Sequence, residues 1–310
     1  MERATVFRPA AVLRRRCQQR AATPLVSASA SAHPASKRSV EYTALEGNTF
    51  KLRLRGGLCV VADPWLSGPL TFGPPSLAWL YRGEKPSGER SLACIADAEV
   101  LLMAQGLDDH AHRPTLAALD KRLPVVASPS AAAVARELGF VTVHSLAHGE
   151  SVVVRGVRFT ATAGALVGPP WSTREIGFLI TEEAPGGAVV YYEPHLDYTQ
   201  ASVEAVLRTA GVSRVDLAIV PTSAVSLAGY PLVLGSADAV MRLLRLIQPS
   251  VLLPLRNDLI KEDGAIAPLI QIAPSSLDAL RTALAADAAL DKRVRIVEPA
   301  EAGQALLIDV

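Results

Sequence analysis

Apolar residues fall along this chain in short runs, four or five long, cut by Gly, Pro or charge. Phe50 to Leu54 alternates apolar and basic side chains, Gly56-Gly57 makes a turn, and Leu58 to Ala62 is apolar throughout, which predicts a hairpin. Pro64 stops that ladder and leaves Asp63 at its end. Residues 67–95, rich in Gly, Pro and Ser, read as a long loop with a helical piece from Leu77 to Arg82; loops of this length commonly line a site. From Ala98 strands alternate with helices. Strands are expected at Val100 to Met103, Val125-Val126, Leu217 to Val220, Val251 to Leu253, Val294 to Val297 and Ala305 to Ile308. Helices are expected at Pro114 to Asp120, Ser128 to Leu138, Thr199 to Ala210, Ser236 to Ile247 and Ser275 to Ala285. Two further hairpins join Ser151–Val154 to Val157–Thr162 and Gly177–Thr181 to Ala188–Tyr192. A hairpin-rich half running without a linker into a strand–helix half predicts one layered α/β domain.

Charge divides the 310 residues in two. Up to Arg38 the chain carries eight Arg and Lys against Glu2 alone, so the remainder is net acidic although the whole stands at +1. An Arg-rich, Ser/Ala-rich, acid-poor start has the composition of an organelle transit peptide. The run Val26 to Ala32 favours chloroplast over mitochondrion. Residues 1–38 are therefore set aside as a leader and residues 39–310 as the domain. The acidic body has no phosphate-binding footprint, so nucleic acid is not expected as a partner. No apolar run reaches the roughly 20 residues of a membrane span. No Cys-x-x-Cys occurs, and Cys59, inside an apolar run, reads as a core thiol in a reducing compartment. Gly-x-Ser-x-Gly is also missing, which removes the serine-hydrolase reading.

The chemistry concentrates in Met103 to His112, where an expected strand empties into Gly106, Asp108, Asp109, His110 and His112. Carboxylate and imidazole at close spacing suit Zn²⁺ or a similar cation, and open α/β sheets place their sites at strand C-terminal ends. The alternative is a loop whose aspartates cap the next helix.

The order of these signals resembles the metallo-β-lactamase superfamily, most closely its lactonase-like branch. The carriers are Val60-Val61-Ala62-Asp63-Pro64-Trp65-Leu66, the Ala-Asp-Ala-Glu-Val-Leu-Leu-Met strand entering Asp109-His110, Leu146 to Ser151, Val190-Tyr191-Tyr192 and Leu252-Leu253-Pro254-Leu255. The resemblance implies an αββα sandwich with a metal site along one edge, used mostly for hydrolysis. Laid over this chain, the family's His-x-His-x-Asp-His keeps Asp109 and His110 but has Gln105 and Leu107 for the first two histidines. The strand Phe159 to Thr162 runs on into Ala163 where a third histidine belongs. His195 stands for the bridging aspartate and Arg256 for the last histidine.

A two-metal clamp is thus not expected. Asp109, His110 and His195 remain as a set for a single zinc with one open position. His112 is available as a ligand, as a donor to one, or as a general acid, and Glu193 as a ligand or base. Arg256 is expected either to bind an anionic substrate or to form an ion pair with Asp109 or Glu193. His195 can equally be a rim histidine without a metal. Two functions stay open: hydrolysis of a small-molecule ester, lactone or phosphoester at one metal ion, or a non-catalytic descendant whose cleft binds a small anion or a protein partner.

Overall fold

Alternation within the apolar runs sorts their side chains between two faces. In Cys59–Ala62, Val60 and Ala62 face a central core while Val61 faces an outer one. In Val100–Met103, Val100 and Leu102 face the centre, Leu101 and Met103 the outside. Leu217–Pro221 divides in the same way, with Leu217 and Ile219 inward and Ala218 and Val220 outward. Strands buried on both faces read as continuous apolar runs, which is how they appear in the sequence.

The computed structural model describes residues 39–73, 75–167, 171–273 and 277–310. The leader expected over residues 1–38 lies outside the described residues. Among those described, one seven-stranded sheet runs Ala305–Asp309, Ser39–Ala44, Phe50–Arg53, Cys59–Ala62, Val100–Met103, Val125–Ala127, Val143–Ser145. The second runs Arg295–Ile296, Val251–Leu255, Leu217–Pro221, Val189–Tyr192, Ile176–Glu182, Val157–Ala163, Ser151–Val154. Each is antiparallel in one part and parallel in the other. They face each other across a core that includes Phe50, Phe159, Phe178 and Tyr192. Helices Arg113–Ala118 and Pro129–Glu137 cover the outside of the first sheet. Gln200–Thr209, Ala237–Ile247 and Leu277–Ala286 cover the second. The expected αββα sandwich is the fold.

Several details differ from the expectation. The helical piece at Leu77 to Arg82 is a 3-10 turn at Pro75–Leu77 followed by a strand, Arg82–Glu84, paired with Lys261–Asp263. Tyr81 is drawn into a small apolar cluster with Trp65 and Leu70, and this burial overrides helix formation there. The strand Ser39–Ala44 and the edge strand Val143–Ser145 had no strong apolar signal, and neither did a small sheet of Tyr230–Leu234, Ala224–Leu227 and Ile270–Ala273. No helix among the described residues is long and apolar enough to cross a membrane.

Candidate metal centre

Asp109 and His110 leave the C-terminal end of Val100–Met103 in the first sheet, and His195 follows Val189–Tyr192 in the second. One ligand atom from each lies within 4.8 Å of the other two. His110 Nε2 stands 3.1 Å from Asp109 Oδ2, and the two imidazole rings are 5.0 Å apart. His110 and His195 are buried, whereas the Asp109 side chain keeps 20% exposure, so solvent reaches the trio on the Asp109 side.

His110 is fixed from behind by Asp63. Asp63 sits at φ +42°, a left-handed conformation that aspartate tolerates, and is fully buried. Its Oδ1 accepts the Ala104 N–H at 2.8 Å; its Oδ2 accepts His110 Nδ1–H at 2.8 Å and the Tyr192 hydroxyl. A carboxylate on Nδ1 sets the tautomer and turns Nε2 toward a ligand position. Burial alone would lower the His110 pKa, but Asp109 and Asp63 together raise it to about 10. The proton on Nε2 thus bridges to Asp109 where a cation would otherwise sit. Burial tends to raise the Asp109 carboxyl, yet the His110 charge holds it below its ordinary value. His195 is pushed down to about 3 by burial and by the charge on His110, so its ring is neutral and able to ligate.

Three amides surround the trio, and sequence reading assigned none of them a role. Asn48 Nδ2 lies 3.2 Å from Asp109 Oδ2 and 3.1 Å from His110 Nε2. Asn257 Nδ2 donates to Asn48 Oδ1 at 2.9 Å and to the Pro194 carbonyl at 2.8 Å. Gln105 Nε2 is 3.1 Å from His195 Nε2. Gln105 Oε1, Asp109 Oδ1 and Asn257 Oδ1 are buried without a hydrogen-bond partner. Unpaired buried acceptors are costly, and a group of them beside two imidazoles fits a cation. On this donor set the residues present fit a bound divalent metal.

The remaining candidates do other work. Glu193 is buried, and its Oε2 accepts the backbone N–H groups of His195 (3.2 Å) and Asp197 (3.1 Å), so it shapes the loop that presents His195. Burial and the charge of Asp197 push its pKa up to about 8. Gly177 makes this possible, because a Cβ there would lie 2.8 Å from Glu193 Cγ. His112 does not join the trio. It is the N-cap of Arg113–Ala118: its Nδ1 accepts from Thr115, and its Nε2 faces the Pro69 carbonyl at 3.4 Å. The cap expected from Asp108 or Asp109 is therefore an imidazole. Arg256 is exposed and its guanidinium pairs with Glu298 at 3.2 Å, not with Asp109 or Glu193. The position after it, Asn257, is what turns into the centre.

Residues 41–256 match the family described as the beta-lactamase superfamily domain. No curated protein matches the chain. Among solved structures, CmlA, a diiron β-hydroxylase from Streptomyces venezuelae, is similar at TM-score 0.59 and 14% identity, over 90% of this chain and 55% of that one. An isothiocyanate hydrolase from Delia radicum gut bacteria is similar at 0.57 and 13%, over 87% and 100%. A metallo hydrolase from the archaeon Ignicoccus hospitalis is similar at 0.55 and 13%, over 88% and 99%. At these identities the likeness is one of fold.

Proposed function

Because this chain belongs to the β-lactamase superfamily, we propose that it is a metal-dependent hydrolase with a reduced, single-cation centre. The observation that carries this reading is the convergence of Asp109, His110 and His195 within 4.8 Å. The substrate class is a small ester, lactone or phosphoester. A bound divalent ion, zinc on this reading, supplies Lewis-acid polarisation of a carbonyl or phosphoryl oxygen and brings the pKa of water toward neutrality. Asp63 holds His110 in the ligating tautomer. Glu193 holds the loop that positions His195. The likeness in fold to the Ignicoccus metallo hydrolase and to the isothiocyanate hydrolase supports the reaction class. The acid-poor leader supports a chloroplast address, tested by import of the full chain into isolated plastids.

Elemental analysis of the purified protein, with turnover of p-nitrophenyl ester, lactone and phosphodiester probes, tests the proposal. The expected result is about one divalent ion per chain, lost together with turnover in His110→Ala. A metal-free, folded protein whose melting temperature responds to no added divalent ion, Zn(II), Mn(II) or Fe(II), would overturn it. One observation favours a second reading in that event. Asn48, its orientation fixed by Asn257, already offers an uncharged donor to Asp109. Such a centre suits a non-catalytic descendant that binds a small anion or a partner protein.

A further inference from the structure

We propose that Gln105 is an oxygen ligand of the cation, which makes this a centre suited to a six-coordinate ion, Mn(II) or Fe(II), and not a closed four-coordinate zinc site. The inference rests on the single-cation reading and goes further by naming the ion class and the residue that selects it. Gln105 occupies the place of a family histidine, and read from the sequence it is a lost ligand. The structure puts its side chain inside the centre, 2% exposed. Its backbone is anchored on both sides: the Ala104 N–H is held by Asp63 at 2.8 Å and the Gly106 N–H by Ser130 Oγ at 2.8 Å. The amide can therefore turn about its last torsion without shifting the chain.

Its two ends are unequally served. Nε2 faces the lone pair of His195 Nε2 at 3.1 Å, while Oε1 is buried with no partner. Once a cation takes that lone pair, the amide N–H has lost its acceptor. A half-turn then removes the donor and presents Oε1 in its place. The unpaired atoms of this cluster point the same way. Around the trio Gln105 Oε1, Asp109 Oδ1, Asn257 Oδ1 and Glu193 Oε1 are buried without a partner, all oxygens. Asn257 cannot relieve its own, since its nitrogen is committed to Asn48 and Pro194. Two imidazoles and one carboxylate already complete the protein share of a tetrahedral zinc site. Amide and second carboxylate oxygens in excess of that set suit ions that take more, and harder, ligands.

The test is competitive metal titration of the full chain, freed of metal by chelation, with Mn(II), anaerobic Fe(II) and Zn(II). Gln105→Leu is expected to weaken Mn(II) and Fe(II) by at least about tenfold while Zn(II) affinity stays close to wild type. Gln105→Glu, which keeps an oxygen and adds charge, is expected to tighten Mn(II) more than Zn(II), and it serves alone if the leucine variant does not fold. Equal changes for all three ions, or none, overturn the assignment of Gln105 and leave the single-cation reading standing. Absence of binding by the wild-type chain to any of the three sinks both.

Discussion

Asp63 carries more of the centre than its distance from the reacting groups suggests. One carboxylate ties together the strand end at Ala104, the hydroxyl of Tyr192 across the core, and the ring of His110. Asp63→Asn removes the charge that keeps His110 correctly protonated at Nδ1. Metal affinity is expected to fall about 10- to 100-fold, and stability by roughly 1.5–3 kcal/mol for a charged hydrogen-bonded group. Metal titration and urea denaturation read the two effects separately, and unchanged affinity would show that His110 is oriented by something else. Lys85 tests the same physics away from the site. Its buried ammonium donates to the Leu45 and Glu46 carbonyls and lies 4.4 Å from the Trp65 ring centre. Burial lowers its pKa to about 7, against the opposing charge of Glu46. The unfolded chain keeps that proton up to about pH 10.4, so between pH 7 and 10 it binds more protons than the folded one. Stability contributed at Lys85 therefore rises as pH climbs through this window, on the order of 1–3 kcal/mol. Urea denaturation at pH 7, 8 and 9.5 should show that rise in the wild type and a flatter profile in Lys85→Met.

Among the elements, the short helix Arg113–Ala118 shows how a residue's chemistry is reassigned by its surroundings. Burial pushes the His112 pKa down to about 4, leaving a neutral ring whose Nδ1 accepts the Thr115 N–H as a Ser or Asn cap would. Loss of the cap in His112→Ala is expected to cost about 1 kcal/mol, a melting shift of roughly 2–4 °C, with recovery in His112→Asn. A general acid would instead change the pH–rate profile in both variants. In the sequence, His112 looked like a third imidazole at the site because an Asp-rich loop gives no sign of which side chain turns back to close the helix. The strands were legible where both faces are buried, as in Val100–Met103 and Val251–Leu255, because continuous apolar runs leave little else to form. The strands of the small sheet were not legible. Ala224–Leu227 is half-buried throughout and Tyr230–Leu234 largely exposed, so neither shows an alternation of period two. Asn257 escaped for a related reason. After five buried residues in Val251–Leu255 the chain turns Arg256 out to Glu298 and Asn257 in, and nothing in Arg-Asn-Asp distinguishes that from the reverse.

At the scale of the whole molecule, the centre joins the two sheets. Asp109, His110 and Asn48 come from loops of the first, His195 and Asn257 from loops of the second. A cation held by Asp109, His110 and His195 is therefore a cross-link between the two halves of the sandwich, one that the unfolded chain cannot make. Binding to the folded state alone stabilises by about 2.7 kcal/mol at a hundredfold excess over Kd. For a domain of this size that corresponds to a rise in melting temperature of roughly 5–10 °C. His195→Ala leaves every remaining ligand on the first sheet and none on the second, and it should lose most of that rise, while Arg256→Ala, which touches only surface charge, should retain it. Differential scanning calorimetry with and without metal makes the comparison. A full rise in His195→Ala would mean that the ion is held by the first sheet alone, with His195 a bystander on the rim.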